Sequence, residues 1–148
     1  QGGEFNHGYT YSGHPVACAV ALANLDLMEK ENLPARVRED TGPYLARRFV
    51  ELAEHPLVGL AETCGFVAAL VLVKNKATKG AFRPELGVGM LCRSHCFRLG
   101  LIMRAVGDRM IIAPPLVMTH GQIDDMVLLI RRCLDATLNE LQASGEFG

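Results

Sequence analysis

Residues 66 to 73 read Phe66-Val67-Ala68-Ala69-Leu70-Val71-Leu72-Val73, and the rest of the predicted fold is arranged around this stretch. Every side chain in it is apolar, and three of the eight are β-branched. Turn residues precede it and a polar segment follows it. A short, continuous apolar run with these boundaries is typical of a central strand rather than an edge strand. The stretch therefore predicts a strand in the interior of a sheet.

The segments on either side of this strand predict its neighbours in the sheet. Residues 58–63 form a second strand pattern, which a tight turn at Cys64-Gly65 joins to the first. Further along the chain, residues 101–105 and 109–113 predict a second hairpin around Val106-Gly107-Asp108. Pro114-Pro115 ends the pairing there, because proline has no backbone N–H to donate.

The other apolar stretches have helical periodicity. They predict helices over residues 13–30, 34–54, 88–99 and 120–142. Gly42-Pro43 predicts a kink near Thr41 in the second helix. Thr119 with Gln122 is the sequence pattern of a capping box at the start of the last helix. We thus expect an α+β fold: a small, mostly antiparallel sheet with helices on one face.

Several side-chain positions follow from these patterns. We expect Ser12 to cap the first helix, which is apolar nearly all round and should be buried. The arginines of the second helix should mostly face water, and the chain from Ala143 onward should fray. The predicted inner face of the third helix consists of Met90, Leu91, Cys96 and Phe97. The predicted buried stripe of the last helix consists of Ile123, Met126, Val127, Ile130, Leu134 and Leu138.

Composition narrows the functional classes. Hydrophobic residues make up 49% of the 148, which is enough to build a core. The fraction is slightly high for a free-standing domain, which suggests that part of the surface is buried against something outside this chain. The net charge is −1 and there is no basic block, so we expect no nucleic-acid partner. The longest apolar run, residues 15–23, is too short to span a bilayer. Five cysteines, an odd number, argue for reduced thiols in the cytoplasm.

One motif stands out near the beginning: Asn6-His7-Gly8-Tyr9-Thr10-Tyr11-Ser12-Gly13-His14-Pro15-Val16-Ala17. Hydroxyls and a helix N-terminus of this kind suit an anion such as phosphate. The motif resembles the phosphate-contacting segment of class III pyridoxal-phosphate aminotransferases, in particular the ω-amino acid or amine:pyruvate group. The resemblance implies that Thr10 contacts the cofactor phosphate, reaching across a homodimer interface into the partner's site. It implies that Tyr9 supplies a backbone N–H to the same phosphate.

A second stretch carries the same resemblance. Leu101-Ile-Met-Arg104-Ala-Val-Gly-Asp108, continued by Ala113-Pro-Pro-Leu-Val-Met118, is similar to the family's substrate-binding segment. A guanidinium is out of place in an apolar strand unless it binds an anion or reaches water at a sheet edge. The resemblance implies that Arg104 holds the substrate carboxylate through paired hydrogen bonds and swings aside for amines without that group.

The remaining reactive side chains have plainer interpretations. His7 and His14 are expected to be hydrogen-bonded structural histidines. Cys92, His95 and Cys96 have metal-like spacing, but no second ligand pair follows, so we expect core and surface residues and no metal site. Asp108 and Arg109 read as turn and surface charges. The lysines at 74, 76 and 79 lie in a polar loop, whereas a Schiff-base lysine needs a desolvated pocket.

The resemblance covers essentially the whole chain but only the C-terminal portion of the family's sequence. It implies the end of the large cofactor-binding domain in residues 1–32 and the C-terminal small domain of a fold-type I enzyme in residues 33–148. The whole enzyme would transfer an amino group from an amine or ω-amino acid to pyruvate or a similar oxo-acid. The chain alone would be inactive, because the Schiff-base lysine lies upstream of this motif. The alternatives are a related aminomutase or decarboxylase, or a non-catalytic α+β assembly or binding module.

Overall fold

The computed structural model describes residues 8–147. The chain divides into two compact units between Pro34 and Ala35. The first unit contains helix α1, Pro15–Lys30. The second contains a four-stranded sheet and the helices that cover it.

The sheet consists of β1 (Val58–Cys64), β2 (Val67–Leu72), β3 (Arg104–Val106) and β4 (Arg109–Ile112). Its strand order is β1-β2-β4-β3, and every neighbouring pair is antiparallel. The predicted interior strand is confirmed, since β2 is hydrogen-bonded on both sides. Both predicted hairpins are present as well.

The two faces of the sheet differ sharply. One face, here called the core face, buries Ala68, Leu70 and Leu72 of β2 together with Met110 and Ile112 of β4. The opposite, open face carries partly or fully exposed residues at the alternate positions. Because side chains alternate along a strand, this pattern means that the helices cover one face only, as predicted.

A helical stretch with two irregular segments leads into β1. It begins with α2 (Leu33–Arg36), continues through a π-helical turn (Val37–Thr41) into α3 (Gly42–Val50), and ends in a 3₁₀ turn (Glu51–Glu54). The expected irregularity near Thr41 is therefore a π turn.

Two further helices complete the core. Helix α4 spans Val88–Arg98, and α5 spans His120–Ala143 with the predicted capping box between Thr119 and Gln122. The two helices pack on each other, and α3 packs on α5 and on β1. The predicted stripe of α5 lies in this core, with Leu138 half-buried at its margin.

The predicted inner face of α4 is wrong at two positions. Met90 and Phe97 are exposed, whereas Val88, Cys92 and Cys96 are buried. These three residues are four apart and form one helical stripe. Gly89, the next buried position, lies against the β3–β4 turn, where an added Cβ would be 2.0 Å from the carbonyl oxygen of Gly107. This close approach turns the Val88 stripe inward.

The first helix also differs from expectation. His14 is the N-cap residue rather than Ser12, and its Nδ1 accepts from the backbone N–H of Ala17 at 3.5 Å. No residue of α1 is buried in this chain, contrary to the prediction. An apolar sequence favours burial but cannot by itself supply the surface that covers it.

The C-terminal segment is more ordered than predicted. After α5 the chain turns back at Gly145, whose φ of +73° is typical of a glycine that ends a helix. The backbone N–H of Glu146 then donates to the carbonyl of Leu141, and Phe147 packs beside Phe82. These contacts hold residues 144–147 in place.

Across residues 8–147, no helix combines the length and the apolar character needed to cross a bilayer.

Candidate functional site

The residues before α1 form a hydrogen-bonded turn that presents Thr10. Within it, the backbone N–H of Ser12 donates to the carbonyl of Tyr9, and that of His14 to the carbonyl of Tyr11. The side chains of Tyr9 and Thr10 are exposed. Within residues 8–147 the Thr10 hydroxyl has no hydrogen-bond partner of its own. His14 has the structural role that was predicted, while His7 lies outside the described residues.

Arg104 begins β3, an edge strand, and points to the open face of the sheet. Its cross-strand partner is Ile111, which pairs in turn with Ala69, and Ala69 with Glu62 of β1. The nearest carboxylate in this row is thus three strands away. In the described part of the chain, Arg104 has no ion pair or hydrogen bond. The guanidinium is available to an anion.

Several other arginines of the second unit have partners. Arg48 of α3 donates from Nε to Asp124 at 2.6 Å, and Arg36 donates to the carbonyl of Met118 at 3.0 Å. These two do not face water as expected, because each reaches a group about 80 residues away in sequence. Arg83 pairs with Glu146 at 2.7 Å.

The open face carries one further unpaired guanidinium. Arg109 lies opposite Val71 and Val106, two residue pairs along the strand from the row of Arg104. Like Arg104 it is exposed, and no ion pair or hydrogen bond occupies it within residues 8–147. Its position makes it a surface charge, as predicted, and a natural control for Arg104.

A polar cluster that sequence reasoning missed fastens α3 to α5. The Tyr44 hydroxyl donates to Asp124 at 2.9 Å, and the Tyr44 ring stacks on His120 at 3.9 Å. His120 in turn contacts Asp40 at 2.8 Å. The hydrogen bonds from Arg48 and then Tyr44 lower the pKa of Asp124, while the bond to Asp124 raises the pKa of Tyr44. The four-residue spacing of Tyr44 and Arg48 on one helix face was the available signal.

The cysteine and histidine residues of α4 separate as predicted. Cys92 and Cys96 are buried together with Cys133 of α5. Hydrogen bonding with Cys133 and Cys92, followed by burial, raises the pKa of the Cys96 thiol. His95 contacts Glu140 at 2.9 Å. Among residues 8–147 no three His, Cys, Asp or Glu side chains are arranged to hold a metal ion.

An apolar groove of about 500 Å³ lies beside the edge strand. Proline and aliphatic side chains line it, and Asp125 is its one carboxylate. The four lysines in the described residues, Lys30, Lys74, Lys76 and Lys79, are all exposed, and Lys76 donates to the backbone carbonyls of Ala53 and His55.

Solved structures of transaminases share this fold. An ω-transferase from Vibrio fluvialis JS17 matches 95% of the chain with a TM-score of 0.81 and 38% identity, and the match covers 33% of that structure's chain. A PLP-bound aminotransferase mutant from Vibrio fluvialis matches 93% of the chain with a TM-score of 0.81 and 38% identity, over 30% of its own chain. The fold places the chain in the class of the transaminases, as an α+β part of a fold-type I enzyme.

The family model for "Aminotransferase class-III" matches residues 1–134, and the chain belongs to this family. The putrescine–pyruvate aminotransferase of Pseudomonas aeruginosa is 61% identical over 137 residues, which are 93% of this chain and 30% of that protein. The chain thus spans about a third of the length of the relatives that it matches.

Proposed function

We propose that this chain serves as the C-terminal portion of a pyridoxal-phosphate-dependent aminotransferase, which moves an amino group from an amine to pyruvate or a similar oxo-acid. The observation that supports an oxo-acid as the acceptor is the exposed guanidinium of Arg104, which has no carboxylate partner among residues 8–147. The donor class rests on the similarity to a putrescine–pyruvate aminotransferase. A small diamine, or another amine without a carboxylate, is therefore the proposed donor.

Residues of this chain would bind the oxo-acid substrate and orient it. A guanidinium presents two parallel N–H groups in the plane that a carboxylate requires, so Arg104 would hold the oxo-acid in one orientation. An amine donor carries no carboxylate. With such a donor the Arg104 side chain would turn to the solvent, which it can reach from the edge strand. In water this pairing is weak, because both groups are hydrated. The substrate site thus requires further protein over the open face.

The segment before α1 would hold the cofactor. The exposed Thr10 hydroxyl fits a donor to a phosphate oxygen, and the backbone N–H of Tyr9 would add a second hydrogen bond. When bound, pyridoxal phosphate supplies the electron-withdrawing ring on which the amino group is transferred. We propose that this segment reaches the site of a partner subunit in a homodimer, with residues 1–32 belonging to the large domain and residues 33–148 forming the small domain.

The isolated chain is proposed to have no transaminase activity. Each of its four lysines is exposed to water, whereas a lysine that binds a carbonyl compound covalently is desolvated. The cysteines are free thiols, in keeping with a cytoplasmic protein. Turnover of an amine with pyruvate by the pure 148-residue chain would contradict this part of the proposal.

Replacing Arg104 in the full-length enzyme tests the acceptor role. We expect Arg104→Ala to raise the KM for pyruvate about 30-fold or more, as for loss of roughly 2 kcal/mol from a charge pair. The half-reaction with a simple amine should change less than about threefold, since no carboxylate is involved. Single-turnover kinetics of the two half-reactions measure both effects separately. Arg104→Lys should rescue only part of the loss, because an ammonium lacks the forked geometry.

Arg109→Ala is the matched control, since Arg109 is an unpaired arginine on the same face. It should leave both half-reactions unchanged. Equal losses in the two half-reactions of Arg104→Ala would show that Arg104 supports the fold or the cofactor instead. Such a result would favour a related enzyme of the family, for example an aminomutase or decarboxylase, or an assembly role for this chain.

A further inference from the structure

His55 lies where the helical stretch ends and the sheet begins. It follows the 3₁₀ turn Glu51–Glu54, three residues before the first residue of β1, and its side chain is 3% exposed. Leu57 and Val58, just beyond it, are completely buried. The carbonyl of Leu57 accepts the backbone N–H of Val73, so this short segment closes one end of the sheet.

Both ring nitrogens of His55 have defined partners. The backbone N–H of Leu57 donates to Nδ1 at 3.2 Å, so Nδ1 carries no proton. The Nε2–H group then donates to Oδ1 of Asp135 in α5, also at 3.2 Å. These contacts specify the neutral ring with its proton on Nε2. A second proton would place an N–H on Nδ1 directly against the N–H of Leu57.

The charges around the ring do not compensate for that proton. Asp135 is 58% exposed and is the one carboxylate hydrogen-bonded to His55 in the described residues. Arg131 of α5 and Lys76 of the segment after β2 contribute two cations, which donate to the backbone carbonyls of residues 51, 53 and 55. Burial lowers the pKa of His55, Asp135 opposes this shift, and Arg131 and Lys76 reinforce it.

We propose that His55 is an acid-sensitive joint between the start of β1 and α5. Protonation of its ring expels the side chain from its contact with Leu57, and the segment from His55 to Val58 opens from the sheet. The inference is independent of the transaminase activity, because it concerns only contacts within the second unit.

The direction of the effect follows from proton linkage. The pKa of His55 lies below the value of about 6.5 for an unfolded histidine, so the folded joint binds the proton less well than the open one. Its contribution to stability is complete at a pH above about 6.5 and decreases as the pH falls below that value. The joint is therefore closed at neutral pH and weakened in mild acid.

Nuclear magnetic resonance of the labelled 148-residue chain tests this from pH 8 to pH 5. The His55 ring signals should report the Nε2–H tautomer and a pKa below about 6.5. Hydrogen-exchange protection of the Leu57 and Val73 amides, corrected for intrinsic rate, should fall by up to about tenfold per pH unit below that value. A pKa at or above 6.5, or constant protection across the range, would overturn the proposal.

Three variants make the experiment specific. His55→Gln cannot be protonated, so its Leu57 and Val73 protection should not depend on pH in this range. His120→Gln removes another histidine that contacts an aspartate, and it should leave the wild-type behaviour of these two amides unchanged. In Asp135→Asn the loss of protection should still begin near pH 6.5, but its acid end should shift to lower pH, because the carboxylate raises the pKa of His55 in the closed joint. A shift in the opposite direction would contradict the assigned charges. The wild-type titration stands even if a variant fails to fold.

Discussion

Helix α1 and strand β2 are both strongly apolar, yet they end in opposite surroundings. Leu70 of β2 is completely buried, whereas Leu22 of α1 is 63% exposed. The strand is enclosed by two neighbouring strands and the helices of the core, all supplied by residues 35–147 of the same chain. An apolar composition therefore favours burial of a segment, but the rest of the polypeptide determines whether the segment is covered.

The largest expected difference comes from the same truncation in the two regions. Leu70→Ala should lower the free energy of unfolding by about 2–5 kcal/mol, because it leaves a cavity in a packed core. Leu22→Ala should change it by less than about 0.5 kcal/mol, since the side chain is exposed and alanine favours a helix. Urea denaturation of both variants measures the difference. Comparable losses would mean that α1 is packed in solution, and the contrast between the two regions would fail.

Adding one methyl group at a packed glycine and at an open glycine tests the same difference between covered and exposed positions. Gly89→Ala should cost about 1–3 kcal/mol, because its Cβ would lie 2.0 Å from the carbonyl oxygen of Gly107 and a backbone atom cannot easily move aside. Gly121→Ala, in the first turn of α5, meets nothing within 4 Å and should be neutral or slightly stabilising. Thermal or urea unfolding of the two variants checks the pair. Equal stability of both would show that the β3–β4 turn yields.

The smallest effect on stability is expected from polar substitutions on α1. These substitutions should instead reduce self-association of the chain. Val20→Glu with Leu22→Glu should alter unfolding of the second unit by less than about 0.5 kcal/mol. The wild-type chain should self-associate or aggregate, because Val16, Val20 and Leu22 are exposed together. Sedimentation velocity should show less association in the double variant. A monomeric wild type with an ordered, exposed α1 would contradict this expectation.

Much of the second unit follows from local sequence. The continuous apolar run of β2, the two hairpins, the Thr119–Gln122 capping box and the buried stripe of α5 are all present. Each depends on residues within a few positions of one another. The helical stretch was predicted with its irregularity near Thr41, although the sequence did not specify a π turn.

The candidate site was predictable only in part. Two sequence motifs identified Thr10 and Arg104 as candidate site residues, and their roles in binding remain proposals. The structure adds that Arg104 lies on the open face without a carboxylate partner in the described residues. The Tyr44–Arg48–Asp124 cluster was not predicted, because its partners are separated by about 80 residues. The contact of His55 with Asp135 spans a similar separation, so only the fold brings them together.

Which segments become strands and helices follows from the sequence alone, because backbone preference and apolar periodicity act over a few residues. It also determined the family, through two unusual motifs. Which stripe of a helix turns inward, by contrast, depends on tertiary packing. In α4 the close approach of Gly89 to the β3–β4 turn selects Val88, Cys92 and Cys96 over Met90 and Phe97. A helix of mixed apolar character offers more than one such stripe, and the choice depends on the shape of distant neighbours.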